Sequence, residues 1–176
     1  MNRRVFLAGG LALAGFVRRA WAQLANPSVQ VRYAPLTRPV TIPVSAVSTP
    51  WLPVPFVAEG RAESRRVLIS GVLFRTQTQL SALCVTCPHE QCQVDLVTDQ
   101  ERLSRIIPQL GSGQAGERAT HPLFECGCHF SVFDAANEGA RISGETPRGL
   151  YRFRIAGVHD SLVEITDIEE VALSEV

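Results

Sequence analysis

Apolar and polar residues alternate through most of this chain with the two-residue period of half-buried β-strands. Leu150-Tyr151-Arg152-Phe153-Arg154-Ile155 alternates cleanly, which predicts a strand with its arginines outward, and Leu162-Val163-Glu164-Ile165 follows after a turn at His159-Asp160. Val29-Gln30-Val31-Arg32-Tyr33 alternates as an edge strand does. Val67-Leu68-Ile69 and Val72-Leu73-Phe74 flank Ser70-Gly71 and predict one broken strand or two short ones. Leu80 to Val85 predicts the next strand, Val94 to Val97 another, and Leu123-Phe124-Glu125 a third. Trp51 to Phe56 predicts extended chain lying on a surface. One stretch departs from the period: Leu103, Ile106, Ile107 and Leu110 recur at helical spacing and predict a short helix within 99–110. Seven prolines between Pro27 and Pro55 disfavour helices in the first third of the chain. Gly111-Ser112-Gly113-Gln114-Ala115-Gly116 reads as a flexible loop. The fold class expected from this pattern is all-β.

Composition narrows the function. The 176 residues suit one domain with a real core. Lysine plus arginine and aspartate plus glutamate both number 17, so the formal net charge is zero and no basic patch points to nucleic acid. Part of the arginine lies near the N-terminus, which leaves the remainder mildly acidic, a surface suited to meeting a basic c-type cytochrome.

The first residues read as an address. Arg3-Arg4 followed by Val5-Phe6-Leu7 resembles the twin-arginine export signal, an apolar run extends to Val17, and Ala20-Trp21-Ala22 offers a small-x-small cleavage site. Arg18 and Arg19 stop the apolar run short of the roughly 20 residues that span a bilayer, which favours cleavage over anchoring. The expected organisation is an export signal at 1–22, a proline-rich segment at 23–60 and a folded domain at 61–176. The expected location is the periplasm, with membrane association if the signal is retained.

The chemistry lies in two boxes. Cys87 to Cys92 reads CPHEQC, and Cys126 to Ser131 reads CGCHFS. Cys87 and His89 are spaced C-x-H; Cys126 and His129 are spaced C-x-x-H. Two thiolates and two imidazoles split between two segments form the ligand set of a Rieske [2Fe–2S] centre, in which cysteines hold one iron and histidines the other. A structural zinc site is the competing reading, with thiolates from Cys84-x-x-Cys87 and Cys126-x-Cys128. It leaves His89 and His129 without a role and places reduced thiols where thiols tend to oxidise.

With the additional cysteines Cys92 and Cys128, the boxes read C-x-H-x-x-C and C-x-C-H, and here the chain resembles the disulfide-bearing Rieske proteins of respiratory cytochrome bc complexes and of arsenite oxidase. The resemblance is tight over the two boxes and loose from about Val67 to Ile165. It implies a Rieske fold of stacked antiparallel sheets with a two-loop cluster-binding tip. It also implies Cys87, His89, Cys126 and His129 as ligands and a Cys92–Cys128 bridge tying the loops together. The fifth cysteine, Cys84, is read as a small buried residue of a strand rather than a free reactive thiol. His121 and His159 lie outside the boxes and are read as surface or turn histidines.

The residues that follow the second box separate the subfamilies. In bc-complex proteins a serine and, two residues on, a tyrosine donate hydrogen bonds to the cluster sulfurs. This chain keeps Ser131 and has Phe133, so one donor is missing, which should lower the potential. Phe130 stands where bc-complex proteins usually have glycine. Glu90 stands where they carry an apolar residue that docks at a quinol site, and a carboxylate there disfavours entry into an apolar pocket. Gly139 to Ile142 resembles the family's turn and strand after the cluster. Gly144-Glu145-Thr146-Pro147 resembles the loop that covers the cluster, with the proline displaced. CHFSVFDA together with Gly144 leans toward the arsenite oxidase small subunit, which partners a molybdenum-containing large subunit. The alternative is the iron–sulfur subunit of a quinol–cytochrome c reductase, which partners a cytochrome b. Either way the expected role is an electron-transfer subunit that has no substrate pocket of its own and relays single electrons to a c-type cytochrome. A Rieske oxygenase component is disfavoured by the export signal and by Cys92 and Cys128. Between the boxes 33 residues separate Cys92 from Cys126, long for this kind of protein but of little entropic cost.

Overall fold

The computed structural model describes residues 31–110 and 121–175. The expected export signal, Val29 and Gln30 of the expected edge strand, and the Gly111–Gly116 loop lie outside the described residues. No helix among the described residues is long and apolar enough to cross a membrane.

The fold is all-β and antiparallel. The first sheet has the order β1-β10-β9, from β1 (Tyr33–Pro43), β9 (Phe153–His159) and β10 (Leu162–Glu169). The second is β2 (Val54–Ala62), β3 (Arg65–Arg75) and β4 (Leu80–Cys84), and the third is β5 (Val94–Val97), β6 (Leu123–Cys126), β7 (Ser131–Asp134) and β8 (Ala140–Ser143), each in sequence order. β9 and β10 meet through Asp160 and Ser161, both with positive φ (49° and 64°), as a two-residue type I′ hairpin turn requires.

β3 is a wall shared by two cores. Val67, Ile69 and Leu73 enter a core with Tyr151, Phe153, Val163, Ile165 and Ile168. Val72 and Phe74 enter a second core with Leu83, Phe124, Phe133 and Leu150. From Gly71 to Phe74 the strand is buried on both faces and reads as an apolar run, while Leu68 and Ser70 before it are exposed. The strand is continuous where a break was expected, because Gly71 serves packing. A Cβ there would stand 2.5 Å from the Phe56 ring and 2.8 Å from that of Phe153, so only glycine lets both aromatics close on the sheet.

The described part of the expected proline-rich segment 23–60, residues 31–60, supplies β1 and most of β2. Pro35, Pro39 and Pro43 are tolerated because β1 is the edge of its sheet, and its pairing with β10 shifts register between Pro35 and Val40. The segment from Trp51 that was expected to lie as plain extended chain becomes a strand of nine residues from Val54 onward. One helical piece does occur, a single 3₁₀ turn at Val44–Val47.

Leu150 and Tyr151 are buried ahead of β9, which starts at Phe153. Arg152 corrects the expectation of outward arginines: its Nε donates to Glu169 Oε1 at 2.6 Å, and Glu169 is only 1 % exposed. Arg148 closes on the other Glu169 oxygen, so the buried carboxylate is paired on both sides.

The stretch between the boxes forms α1 (Gln100–Ile106) and a 3₁₀ turn at Ile107–Leu110. Asp99 caps the helix by accepting from the Arg102 N–H at 2.8 Å. Leu103 and Ile106 bury against Val97, Leu123 and Val132 of the third sheet, forming a small third core.

Candidate metal centre

Strand order puts the two boxes side by side. The first box fills the loop between β4 and β5; the second is the connection between β6 and β7. β5 pairs with β6 so that Val94 faces Cys126, and β6 pairs with β7 so that Cys126 faces Ser131. Both loops therefore leave the same end of one sheet.

Each loop is held by its own backbone. In the first, the Cys87 N–H donates to Cys92 O (2.8 Å), the Gln91 N–H donates back to Cys87 O (3.0 Å), and Val94 N–H reaches Val85 O (2.8 Å). Gln91 takes φ 58° to close the turn. In the second, Gly127-Cys128-His129-Phe130 spans the hairpin, and Phe130 takes φ 53° and is 70 % exposed. Cys92 and Cys128 form a disulfide between the two loops, with a Cα–Cα distance of 6.6 Å.

Cys87 and Cys126 remain thiols and are buried, 2 % and 1 % exposed. Both belong to the core of the third sheet, with Phe124 and Phe133. Burial pushes the Cys87 thiol above its usual range, the N–H groups of His89 and Glu90 draw it back, and its contact with the Cys126 thiol raises it further. A cation or metal at this spot would favour the thiolate that burial disfavours.

Toward solvent, the rings of His89 and His129 meet edge to face with centroids 4.9 Å apart. Glu90 reaches the second loop, its Oε2 3.9 Å from His129 Nε2, so the carboxylate expected beside His89 also stands by the partner histidine. His89, Glu90 and His129 each offer a ligand atom within 4.8 Å of the others. The sulfurs of Cys92, Cys126 and Cys128 also lie within 4.8 Å of one another, but two of them are bonded to each other, which leaves Cys126 as the free thiol of that trio.

Two polar atoms here are buried without a hydrogen-bond partner among the described residues: His89 Nδ1 and Ser131 Oγ. Orphaned buried polar atoms are costly and uncommon. Both belong to the two loops and their junction, and a buried, unpartnered imidazole nitrogen in a loop that also carries a buried thiol has the chemistry of a metal ligand. Phe133, by contrast, is fully buried and apolar.

Other residues of note carry no motif of their own. Glu125, next to Cys126, accepts from Arg102 Nε (2.9 Å) and Nη2 (2.6 Å), which ties α1 to β6. His121 pairs with Asp134 at 2.7 Å and stacks on Trp51, so it is a half-buried bracing residue rather than a surface one. Gly144, with φ 97°, lies against Ser131. Glycine and arginine carry no pattern signal that points to such contacts. Cys84 is buried in the first core, its thiol pushed up by burial, and takes no part in the centre. His159 sits on the β9–β10 hairpin, away from both boxes.

A scan against family models and a search of curated proteins each returned no match for this chain.

Proposed function

We propose that this chain is a Rieske-type [2Fe–2S] electron-transfer protein acting as a subunit of a respiratory oxidoreductase on the periplasmic side. The observation that carries the reading is the chemistry of the paired loops. Two buried thiols stand on the inner side and two imidazoles on the outer side, with His89 Nδ1 and the Ser131 hydroxyl both lacking a partner among the described residues. These donors fit the group. Cys87 and Cys126 would hold the inner iron, His89 and His129 the outer one, and Ser131 would donate a hydrogen bond to a sulfur. When bound, such a cluster supplies a one-electron couple at a potential raised by its imidazole ligands. The Cys92–Cys128 bridge keeps the loops registered. The partly exposed His129, on the solvent side of the thiols, is the natural exit for an electron.

A structural zinc site is the rival. The thiolate set drawn from Cys84, Cys87, Cys126 and Cys128 has lost Cys128 to the disulfide and Cys84 to the first core; a zinc held instead by Cys87, Cys126, His89 and His129 has no need of a free Ser131 hydroxyl. Metal and sulfide analysis of purified protein separates the two. Two irons, two sulfides and a reduced-state EPR signal support the Rieske reading; stoichiometric zinc without sulfide overturns it.

Within that reading, Glu90 favours a small subunit of the arsenite oxidase type, paired with a molybdenum-containing large subunit and passing electrons to a c-type cytochrome. A carboxylate 3.9 Å from His129 makes the tip polar where quinol oxidation asks for an apolar docking face. The buried Phe133, lacking a hydroxyl, points the same way. The iron–sulfur subunit of a quinol–cytochrome c reductase is the second reading. Co-purification with the native complex distinguishes them, through a molybdenum-containing subunit in one case and a cytochrome b in the other.

A further inference from the structure

Arg141 opens out from the start of β8, opposite Phe133 in the register with β7. Its Nη1 donates to two carbonyls of the segment that follows β8: Gly144 O at 3.2 Å and Thr146 O at 3.0 Å. Thr146 is fully buried and extends the arrangement, its hydroxyl donating to Arg148 O at 2.9 Å. One guanidinium thus gathers the turn at 144–146 into a fixed loop.

That loop abuts Ser131. A Cβ built on Gly144 would stand 2.4 Å from both Ser131 Cα and Ser131 Oγ, so backbone and hydroxyl are already in close contact. Ser131 is fully buried and its hydroxyl has no partner among the described residues. Its direction is therefore set by what closes around it, and the Gly144 backbone forms one wall.

We infer that Arg141 is a positioning residue for the centre: by clamping the Gly144 and Thr146 carbonyls it seats Gly144 on Ser131 and keeps the Ser131 hydroxyl dry and aimed at the sulfurs. The inference rests on the electron-transfer reading above. Without the clamp the loop loosens, water reaches the Ser131 hydroxyl, and the hydroxyl's donation weakens. A weaker donor stabilises the reduced state less, so the potential falls.

Loss of the Arg141 positive charge would by itself also lower the potential, so the experiment is a double-mutant cycle. Midpoint potentials are measured by voltammetry on the intact protein for wild type, Arg141→Ala, Ser131→Ala and the double variant, with Arg141→Lys as a charge-preserving control. Arg141→Ala should lower the potential by part of the Ser131→Ala shift, and should add little or nothing once Ser131 is alanine. Arg141→Lys should fall between wild type and Arg141→Ala, since an ammonium cannot reproduce the two-carbonyl grip. Amide hydrogen exchange across 131 and 142–147 should speed up in Arg141→Ala. An intact cluster whose potential does not move, or moves equally in both Ser131 backgrounds, overturns this inference and leaves the functional reading standing. Wild-type protein without iron and sulfide overturns the functional reading, and the inference with it.

Discussion

Cys92 and Cys128 join the two loops across 36 positions of sequence, while Cys87 and Cys126 a few residues away remain thiols. The bridge shortens the unfolded chain's freedom rather than adding a contact to the folded one. On the chain-entropy account a loop of this length is worth about 4 kcal/mol. Changing both cysteines to serine should lower the thermal midpoint markedly and make bound metal labile, without removing a ligand. Calorimetry and timed iron release check this. A variant as stable as the parent would mean that the paired strands β5 to β7 hold the loops without help.

Phe133→Tyr should raise the reduction potential and Ser131→Ala should lower it. Phe133 is fully buried in the same core as Cys87 and Cys126, so a hydroxyl added to its ring is shielded from water, and on the reading proposed above it donates to sulfur. A hydrogen bond to a charged group contributes about 1.5–3 kcal/mol, and about 59 mV corresponds to tenfold in a one-electron equilibrium. The shifts should be tens of millivolts up to about a hundred. Voltammetry of both variants is decisive: a potential unchanged or lowered in Phe133→Tyr means that the ring edge points elsewhere.

Gly144→Ala should damage both stability and the centre. The position takes φ 97°, a region that L-residues avoid, and the new methyl would collide with the Ser131 backbone. A cost of at least about 1 kcal/mol is expected, together with a displaced Ser131. Urea titration and the reduced-state EPR spectrum would report the two effects separately.

Tyr151 gives the fold an alkaline limit. Its hydroxyl donates to Glu175 of α2 (Ala172–Glu175), and burial, with that carboxylate beside it, pushes its pKa well above the usual tyrosine value. The neutral phenol is the form the folded state prefers, so its stabilising contribution is complete below about pH 10. It is lost progressively as pH rises from there toward the folded-state value. Tyr151→Phe should therefore show a shallower decline in stability above pH 10 than the parent, by denaturant titration at stepped pH. Parallel curves would show that other groups set the alkaline limit.

The two loops that the structure brings together are legible in the amino-acid sequence because cysteine and histidine at C-x-H and C-x-x-H spacing stand out wherever they fall. β5, β9, β10 and α1 are legible for a related reason, that a one-sided element advertises its period. β3 is legible only as a broken strand, because burial on both faces from Gly71 to Phe74 erases the alternation there, and Gly71, which has the look of a break, is an aromatic packing site. Arg152 has the look of a solvated residue because a strand pattern assigns faces and cannot see the buried Glu169 that draws it in. Arg141 and Gly144 fall in segments that the resemblance singles out, but the contacts they make leave no trace, because they act through backbone carbonyls and van der Waals closeness, neither of which has a residue-type code.

The prolines of β1 have a consequence beyond that strand. An unpaired strand edge is a template on which a second chain can build, and this one runs for eleven residues with no ladder partner on its outer side among the described residues. Pro35, Pro39 and Pro43 strip donors from it at four-residue intervals, and the register shift after Pro35 bends what remains. A neighbouring molecule that tried to extend the sheet would find no continuous row of bonds to make. In a crowded compartment where copies meet by diffusion, sheet-to-sheet stacking is thus discouraged, and association is left to surfaces shaped for it.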